Sequence, residues 1–357
     1  MRKSSLLATA ALGGVAAILL AGCSGGTSDT PTDDGAAADA TRACVILPDA
    51  ASSNRWEDFD RKYLQEGLEA AGFEADVQNA QGDVNKYSTI ADQQLTQGCG
   101  VMLLVDYQGA AVGVAEKAKA EGIPVIAYDR PFEGADYYVS FDNVEVGRLE
   151  GKAVLDGLAA AGKDPASAVV VYMGGDPTDG NAAMFKEGAV EVMEGAGIKA
   201  AAEPPGVWNQ EKSATNFEQA LTSLGGKVDA VWSANDANAA GVISILQKNN
   251  LTGVAVSGQD AQVGALQYIL LGLQTATVYK PVKEEATAAV ATAVALLKGE
   301  TVNAQAELED GTPYVQVAPQ LVGPNEVKEV VAAGDAAYAD VCTADVEAKC
   351  AEYGVTE

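Results

Sequence analysis

Histidine is absent from all 357 residues. That removes the commonest general base, the usual Ser or Cys triad and most transition-metal sites. An enzyme built from this chain would have to work with carboxylates, Lys, Tyr or Cys. Basic residues are scarce too. There are 23 Lys and Arg against 50 Asp and Glu, a formal charge of −27. A field of that sign repels phosphate backbones and anionic membrane surfaces, so no nucleic-acid partner is expected. There is no Cys-x-x-Cys, which argues against zinc, and no G-x-x-x-x-G-K-[ST] to cradle a nucleotide phosphate. Beyond the first residues no run is long and apolar enough to span a bilayer. Ala286–Leu297 reads as a buried helix.

What is present begins at the N-terminus. Arg2 and Lys3 precede an apolar run from Leu6 to Leu20, which ends in Leu20-Ala21-Gly22-Cys23. The run is short and closes on small residues, as a signal peptide does. The ending is similar to a bacterial lipobox, which implies cleavage before Cys23, acylation of its thiol and an extracytoplasmic body held on the outer face of the membrane. Residues 24–40 are Gly, Ser, Thr, Asp, Pro and Ala without an apolar period, so they read as a flexible tether. The rest of the chain is long enough for two domains, and its 48% hydrophobic content excludes a disordered chain. Of the 5 Cys, Cys44, Cys99, Cys342 and Cys350 lie in this body. An even count in an exported chain suggests disulfides. The favoured pairing is Cys44 with Cys99, on neighbouring strands, and Cys342 with Cys350, close in sequence.

Short apolar runs alternate with helical patterns. Strands are expected at Ala43–Pro48, Phe73–Gln78, Gly100–Val105, Ile123–Tyr128 and Tyr137–Phe141, with helices at Glu57–Ala71, Val84–Gln97 and Ala110–Glu121. The rhythm restarts with a strand at Ala168–Met173 and a helix at Asn181–Ala196. Strands follow at Val228–Trp232, Val254–Ser257 and Thr275–Tyr279, then an Ala-rich helix from Pro281 to Leu297 and a late strand at Thr312–Val317. Such alternation means parallel sheets covered by helices. The expected fold class is α/β, with two doubly wound parallel-sheet lobes.

In doubly wound sheets ligands sit beyond the carboxyl ends of the strands. Those positions hold Asn54, Arg55 and Trp56; Asp129 and Arg130; Asp142 and Asn143; Asp176 and Asn181; Trp208; Asn235 and Asp236; Gln259 and Asp260; and Lys280. A pyranose needs this mixture. Asp and Asn accept from or chelate neighbouring hydroxyls, Arg and Lys donate to them, and the C–H faces pack on Trp. Taken singly each residue has a plainer explanation, and Asp142, Asp176 and Asp236 fit helix caps. Their recurrence at successive strand ends is the signal.

These segments resemble the monosaccharide-binding proteins of bacterial ABC importers, and among them the D-xylose binders. The resemblance rests on Leu47-Pro48 with Arg55-Trp56, Ala127-Tyr128-Asp129-Arg130, Ser140-Phe141-Asp142-Asn143 and Met173-Gly174-Gly175 with Asn181. It continues through Asn235-Asp236-Ala237, Ser257-Gly258-Gln259-Asp260-Ala261 and Thr277-Val278-Tyr279-Lys280-Pro281. It implies the periplasmic binding protein type I fold, with lobes joined by three crossovers near Asp142, Lys280 and Gly311. The N-terminal lobe would comprise 42–141 and 281–310, and the C-terminal lobe 142–280 and 311–330. Residues 331–357 would form a tail with no counterpart. Arg55, Trp56, Asp129 and Arg130 would bind from the first lobe; Asn181, Trp208, Asn235, Asp260 and Lys280 from the second. Trp56 and Trp208 would sandwich the ring. The chain would act as a monomer without cofactor or catalysis, passing sugar to a membrane permease served by a separate ATPase. The alternative is a sensor of another aldose (glucose, galactose or arabinose) that reports to a receptor or kinase. Asp129 and Asp260 as a glycosidase pair are disfavoured, because each sits beside cations that hold it ionised.

Overall fold

The computed structural model describes residues 41–50, 53 and 55–357. The signal segment, Cys23 with its expected lipid, the tether as far as residue 40, and Asn54 lie outside the described residues. The first half alternates β1 (Arg42–Leu47), α1 (Arg61–Ala70), β2 (Glu74–Asn79), α2 (Val84–Thr96), β3 (Val101–Leu104), α3 (Ala110–Ala120), β4 (Val125–Tyr128) and β5 (Tyr137–Phe141). β3 and β4 are uncharged and buried throughout, as strands covered on both faces must be. Before α1 the chain makes a π-helical turn at Trp56–Asp60, so the single helix expected from Glu57 begins with a wider turn. Such turns concentrate at functional sites.

The second half repeats the plan with α4 (Asn143–Ala160), β6 (Val170–Met173), α5 (Gly180–Gly195), β7 (Ala200–Ala202) and α6 (Gln210–Ser223). It continues through β8 (Ala230–Ser233), α7 (Asp236–Lys248), β9 (Ala255–Val256), α8 (Val263–Leu270) and β10 (Thr277–Tyr279). The chain then returns through α9 (Val282–Leu297), β11 (Ala306–Glu307), β12 (Pro313–Val317) and β13 (Gln320–Val322). α9 packs on α1 and the first sheet through Ala286, Ala289 and Ala293, which are spaced for one helical face and fully buried.

The first sheet has the order β11-β12-β5-β4-β3-β1-β2 and is parallel except for its β11 edge. The second has the order β7-β6-β8-β9, and a parallel bridge from Gln259 to Val278 extends it toward β10, which pairs with β13. Both therefore follow one winding, in which the first strand of the repeat lies between the second and third. Ligand crevices form at such reversals. Close helix packing locks the second sheet. A Cβ on Gly147 of α4 would lie 2.0 Å from the carbonyl oxygen of Phe185, and one on Gly188 of α5 would lie 1.9 Å from that of Val144. Only glycine lets these two backbones touch.

One expected boundary is corrected. β12 was expected with the second lobe, after a crossover near Gly311. It pairs in parallel with β5 instead, and Tyr314 packs on Tyr138 with ring centroids 4.3 Å apart. Gly311, at φ +84°, merely turns the chain from β11 into β12. The return to the second sheet comes at Ala318–Pro319, between β12 and β13. Burial of Tyr314 and Val315 against the first sheet decides this placement.

The tail folds as α10 (Val327–Ala333), α11 (Tyr338–Val341) and α12 (Glu347–Tyr353), packed on α8 through Leu266, Ile269, Val341 and Cys350. Cys342 is bonded to Cys350, with Cα atoms 5.9 Å apart. Cys44 of β1 is bonded to Cys99, which precedes the neighbouring β3, with Cα atoms 5.8 Å apart. The bridges span 55 and 8 residues of sequence. Closing the longer loop should contribute about 4 kcal/mol and the shorter about 2.5 kcal/mol by restricting the unfolded chain. Paired Cys→Ala variants compared by urea unfolding are expected to follow that order. A larger loss from the tail pair would contradict it.

Candidate functional site

The nine residues to which the resemblance gives a binding role line one central cavity, whereas Asp142, Asn143, Asp176 and Asp236 of the strand-end set do not. Arg55, Trp56, Asp129 and Arg130 reach it from the first sheet, and Asn181, Trp208, Asn235, Asp260 and Lys280 from the second. Asp179, Phe185 and Gln259 line it as well. The free volume at its centre is small, about 40 Å³.

The two halves mirror each other. The backbone N–H of Asp129 donates to Val139 O on the next strand, and that of Asp260 donates to Val278 O. Both residues are left-handed, at φ 63° and 99°. Non-glycine residues held there cost about 1–3 kcal/mol each, and such strain gathers at functional sites. Each carboxylate faces a cation: Arg55 Nη1 donates to Asp129 at 2.8 Å, and Lys280 Nζ lies 3.0 Å from Asp260. A third pair spans the sheets, with Arg130 Nε 3.3 Å from Asp179 Oδ2.

Arg55 is the hub. Its Nε and Nη2 donate to both oxygens of Asp60 at 2.9 and 2.8 Å, and Nη2 also donates to Glu285. Burial would lower its pKa, but Asp60, Glu285 and Asp129 raise it well above the usual arginine range. Burial pushes Asp129 up, while Arg55, Lys280 and Arg130 pull it down further, so it ends below the usual carboxylate range. Burial wins at Glu285, whose pKa rises well above normal despite Arg55. Burial opposes the charge on Lys280, yet Asp260 and Asp129 outweigh it and its pKa rises.

The aromatic wall depends on backbone fit. Trp208 follows β7, and its ring lies against Gly175, where a Cβ would come within 2.1 Å of the indole. Trp208 Nε1 donates to Asp179 at 3.1 Å, and Phe185 meets the ring edge-on at 6.4 Å between centroids. Trp56 is almost fully buried, with the Arg55 and Arg130 guanidiniums 4.6 and 5.4 Å from its ring centroid.

Some candidates also hold the fold. Asn235 Oδ1 caps α7 through Asn238 N at 2.8 Å. Asn181 is a crosspiece. Its Oδ1 accepts from Tyr138 and Asn143, and its Nδ2 donates to Asp129 O at 2.7 Å. Asp142 caps α4 through Glu145 N, and Asp176 closes a local turn onto Thr178 N. Asp236 accepts from Gln262 N, Gln274 and Thr277, and burial together with Asp260 pushes it up to about 8.

Sequence reasoning missed Asp179, Asp60 and Glu285. Asp179 sits two residues before Asn181 and accepts from its N–H, so its helix-cap pattern concealed a second role. Nothing local marks Glu285, which meets Arg55 across 230 residues. Among the described residues no group of His, Cys, Asp or Glu has metal-site geometry, and no helix is long and apolar enough to cross a membrane.

Arg55→Met would leave Asp60, Asp129 and Glu285 buried without their counter-ion. The expected loss is about 3 kcal/mol or more by urea unfolding. A variant as stable as the parent would remove Arg55 from its place as hub.

The sequence profile of the family described as periplasmic binding protein domain matches residues 44–301. The chain is 35% identical over 289 residues to the D-xylose-binding periplasmic protein of Escherichia coli, covering 78% of this chain and 85% of the relative. The protein of the same description from Haemophilus influenzae is 36% identical with the same coverage. Among solved structures, an ABC transporter solute binding protein from Clostridium phytofermentans with bound β-D-glucose superposes with a TM-score of 0.74 at 25% identity, covering 84% of this chain and 99% of that one. By its sequence profile, by relatives matched over most of their length and by its paired parallel sheets, this chain belongs to the periplasmic binding protein domain family.

Proposed function

We propose that the chain is the substrate-binding lipoprotein of a bacterial ABC importer and binds a monosaccharide, D-xylose foremost, between two lobes. It is a binding protein and not an enzyme. The observation that carries the reading is the convergence of nine candidate ligand residues from both sheets on one cavity, with each of its three cations facing a carboxylate. A site balanced in this way suits an uncharged ligand rich in donors and acceptors. Asp129 and Asp260 would chelate hydroxyls, Arg55, Arg130 and Lys280 would donate, and Trp56 and Trp208 would cover the two faces of the ring. The 35% and 36% identical relatives described as D-xylose-binding support the choice of sugar.

With its ligand residues drawn from both sheets, the site would admit a sugar when the halves part. We assign one lobe to residues 42–141 and 281–317 and the other to 142–280 and 320–330. The chain passes between them at Asp142, Pro281 and Ala318–Pro319. Sugar would bridge open lobes and shift the population toward the closed form. That form would dock on a permease with its separate ATPase, and lipid on Cys23 would keep the monomer at the outer face of the membrane.

A thermal-shift panel of pentoses and hexoses tests the reading, because bound ligand raises apparent stability by mass action. D-xylose is expected to give the largest shift. A glucose, galactose or arabinose maximum would move the assignment to that aldose, and no shift with any sugar would end it. Asp260→Ala should weaken binding of the best sugar by about 2 kcal/mol or more, since partner donors would be left buried and unpaired. Unchanged calorimetric affinity would remove Asp260 from the site. Deleting the protein and following sugar uptake separates transport from sensing. Lost uptake is expected, whereas intact uptake with a lost transcriptional response to sugar would favour the sensor.

A further inference from the structure

The C-terminal tail packs directly behind one of the ion pairs of the central cavity. Its helices share an apolar cluster with Ala261 and Tyr279, both buried. Ala261 follows Asp260 in the chain, and Tyr279 precedes Lys280. The cluster therefore backs the immediate neighbours of both partners in the Lys280–Asp260 pair. The tail also reaches the cleft itself. Val330 and Asp335 border a chamber of about 480 Å³ together with Asp260, Lys280 and, from the first sheet's side, Arg55 and Phe59.

One polar contact ties the tail to the strand that carries Lys280. Asp335 stands just past the end of α10, and its carboxylate accepts from the Tyr279 hydroxyl. Burial and that contact push the Tyr279 pKa up, so the hydroxyl stays a donor. β10 pairs with β13 as far as Tyr279, opposite Gln320. Lys280 is the first residue beyond this ladder, and Pro281 after it begins the passage to α9. The lysine ammonium rides on a flexible four-carbon stem, so its direction depends on how firmly its backbone is held. A hydrogen bond to a charged acceptor is one of the stronger ways to hold it. On the other side of the pair, Asp260 and Ala261 are both left-handed, at φ 99° and 49°. Such residues persist where their surroundings over-determine them, and the tail cluster supplies part of that constraint.

We propose that the C-terminal tail is a working part of the sugar site, with Asp335 as a positioning residue. By holding the Tyr279 hydroxyl it fixes the strand end that presents Lys280 to Asp260 and to the ligand. This rests on the reading of the central cavity as a sugar site, and it gives a binding role to a segment to which the family resemblance assigns none.

The test is calorimetry on the full chain with the sugar that gives the largest thermal shift, beside urea unfolding of each variant. Asp335→Ala and Tyr279→Phe are each expected to weaken binding about tenfold. The double variant should bind no more weakly than either single one, because both remove the same contact. Asp335→Asn keeps an acceptor for the hydroxyl and should restore most of the affinity. Gln267→Ala is the control. Gln267 Nε2 donates to Asp340 O and Val341 O on the same tail, away from Tyr279. Its loss should lower stability and leave affinity unchanged. Tyr279→Phe keeps the buried ring and carries the test alone if Asp335→Ala fails to fold. Parent affinity in Tyr279→Phe, additive losses in the double variant, or an equal loss in Gln267→Ala would each overturn the assignment and leave the sugar site standing. If the parent chain binds no sugar, the sugar reading falls and takes this one with it.

Discussion

The buried guanidinium of Arg55 holds the candidate site together. Its donors reach Asp60 on the turn that follows β1, Asp129 at the end of β4, and Glu285 in the first turn of α9. All three acids are almost fully removed from water. Buried charges are tolerated only when paired and hydrogen-bonded, so the three segments must arrive together or not at all. Glu285 reaches Arg55 only because the chain returns from the second sheet at Pro281 and lays α9 against α1. The cluster therefore ties the path of the chain to the chemistry of the cavity.

The same logic recurs at the other pairs. Lys280 faces Asp260, and Arg130 faces Asp179 across the sheets. Asp129 and Asp260 share a strained backbone and the same hydrogen bond to the neighbouring strand, as expected of two halves built on one winding. The duplication accounts for the two matching pairs, Asp129 with Arg55 and Asp260 with Lys280. It also explains why the site is close to electrically neutral inside a protein with a formal charge of −27. The excess acid lies elsewhere, where water screens it.

Much of the site was legible because the period of the strands marks their carboxyl ends. Arg55, Asp129, Asp260 and Lys280 could be found by counting to the end of each apolar run. Other features were hidden by their own local roles. Asp179 reads as a helix cap and Glu285 as an ordinary acid in a first helical turn. β12 was misplaced because Gly311 looked like a crossover, while the contact of Tyr314 with Tyr138 leaves no trace in the local pattern.

The amino-acid order by itself determined the α/β class, the alternation of strands and helices, the positions of the strand ends and the polar and aromatic groups placed there. These follow from local periodicity and from residue chemistry, which act over a few residues. Tertiary structure alone decided which acids neutralise Arg55, where the third crossing falls, and that Gly175 lets the Trp208 ring approach it closely. Those outcomes depend on contacts between segments as much as 230 residues apart. Such contacts are selected by burial and charge pairing in the assembled fold, and no short stretch of sequence encodes them.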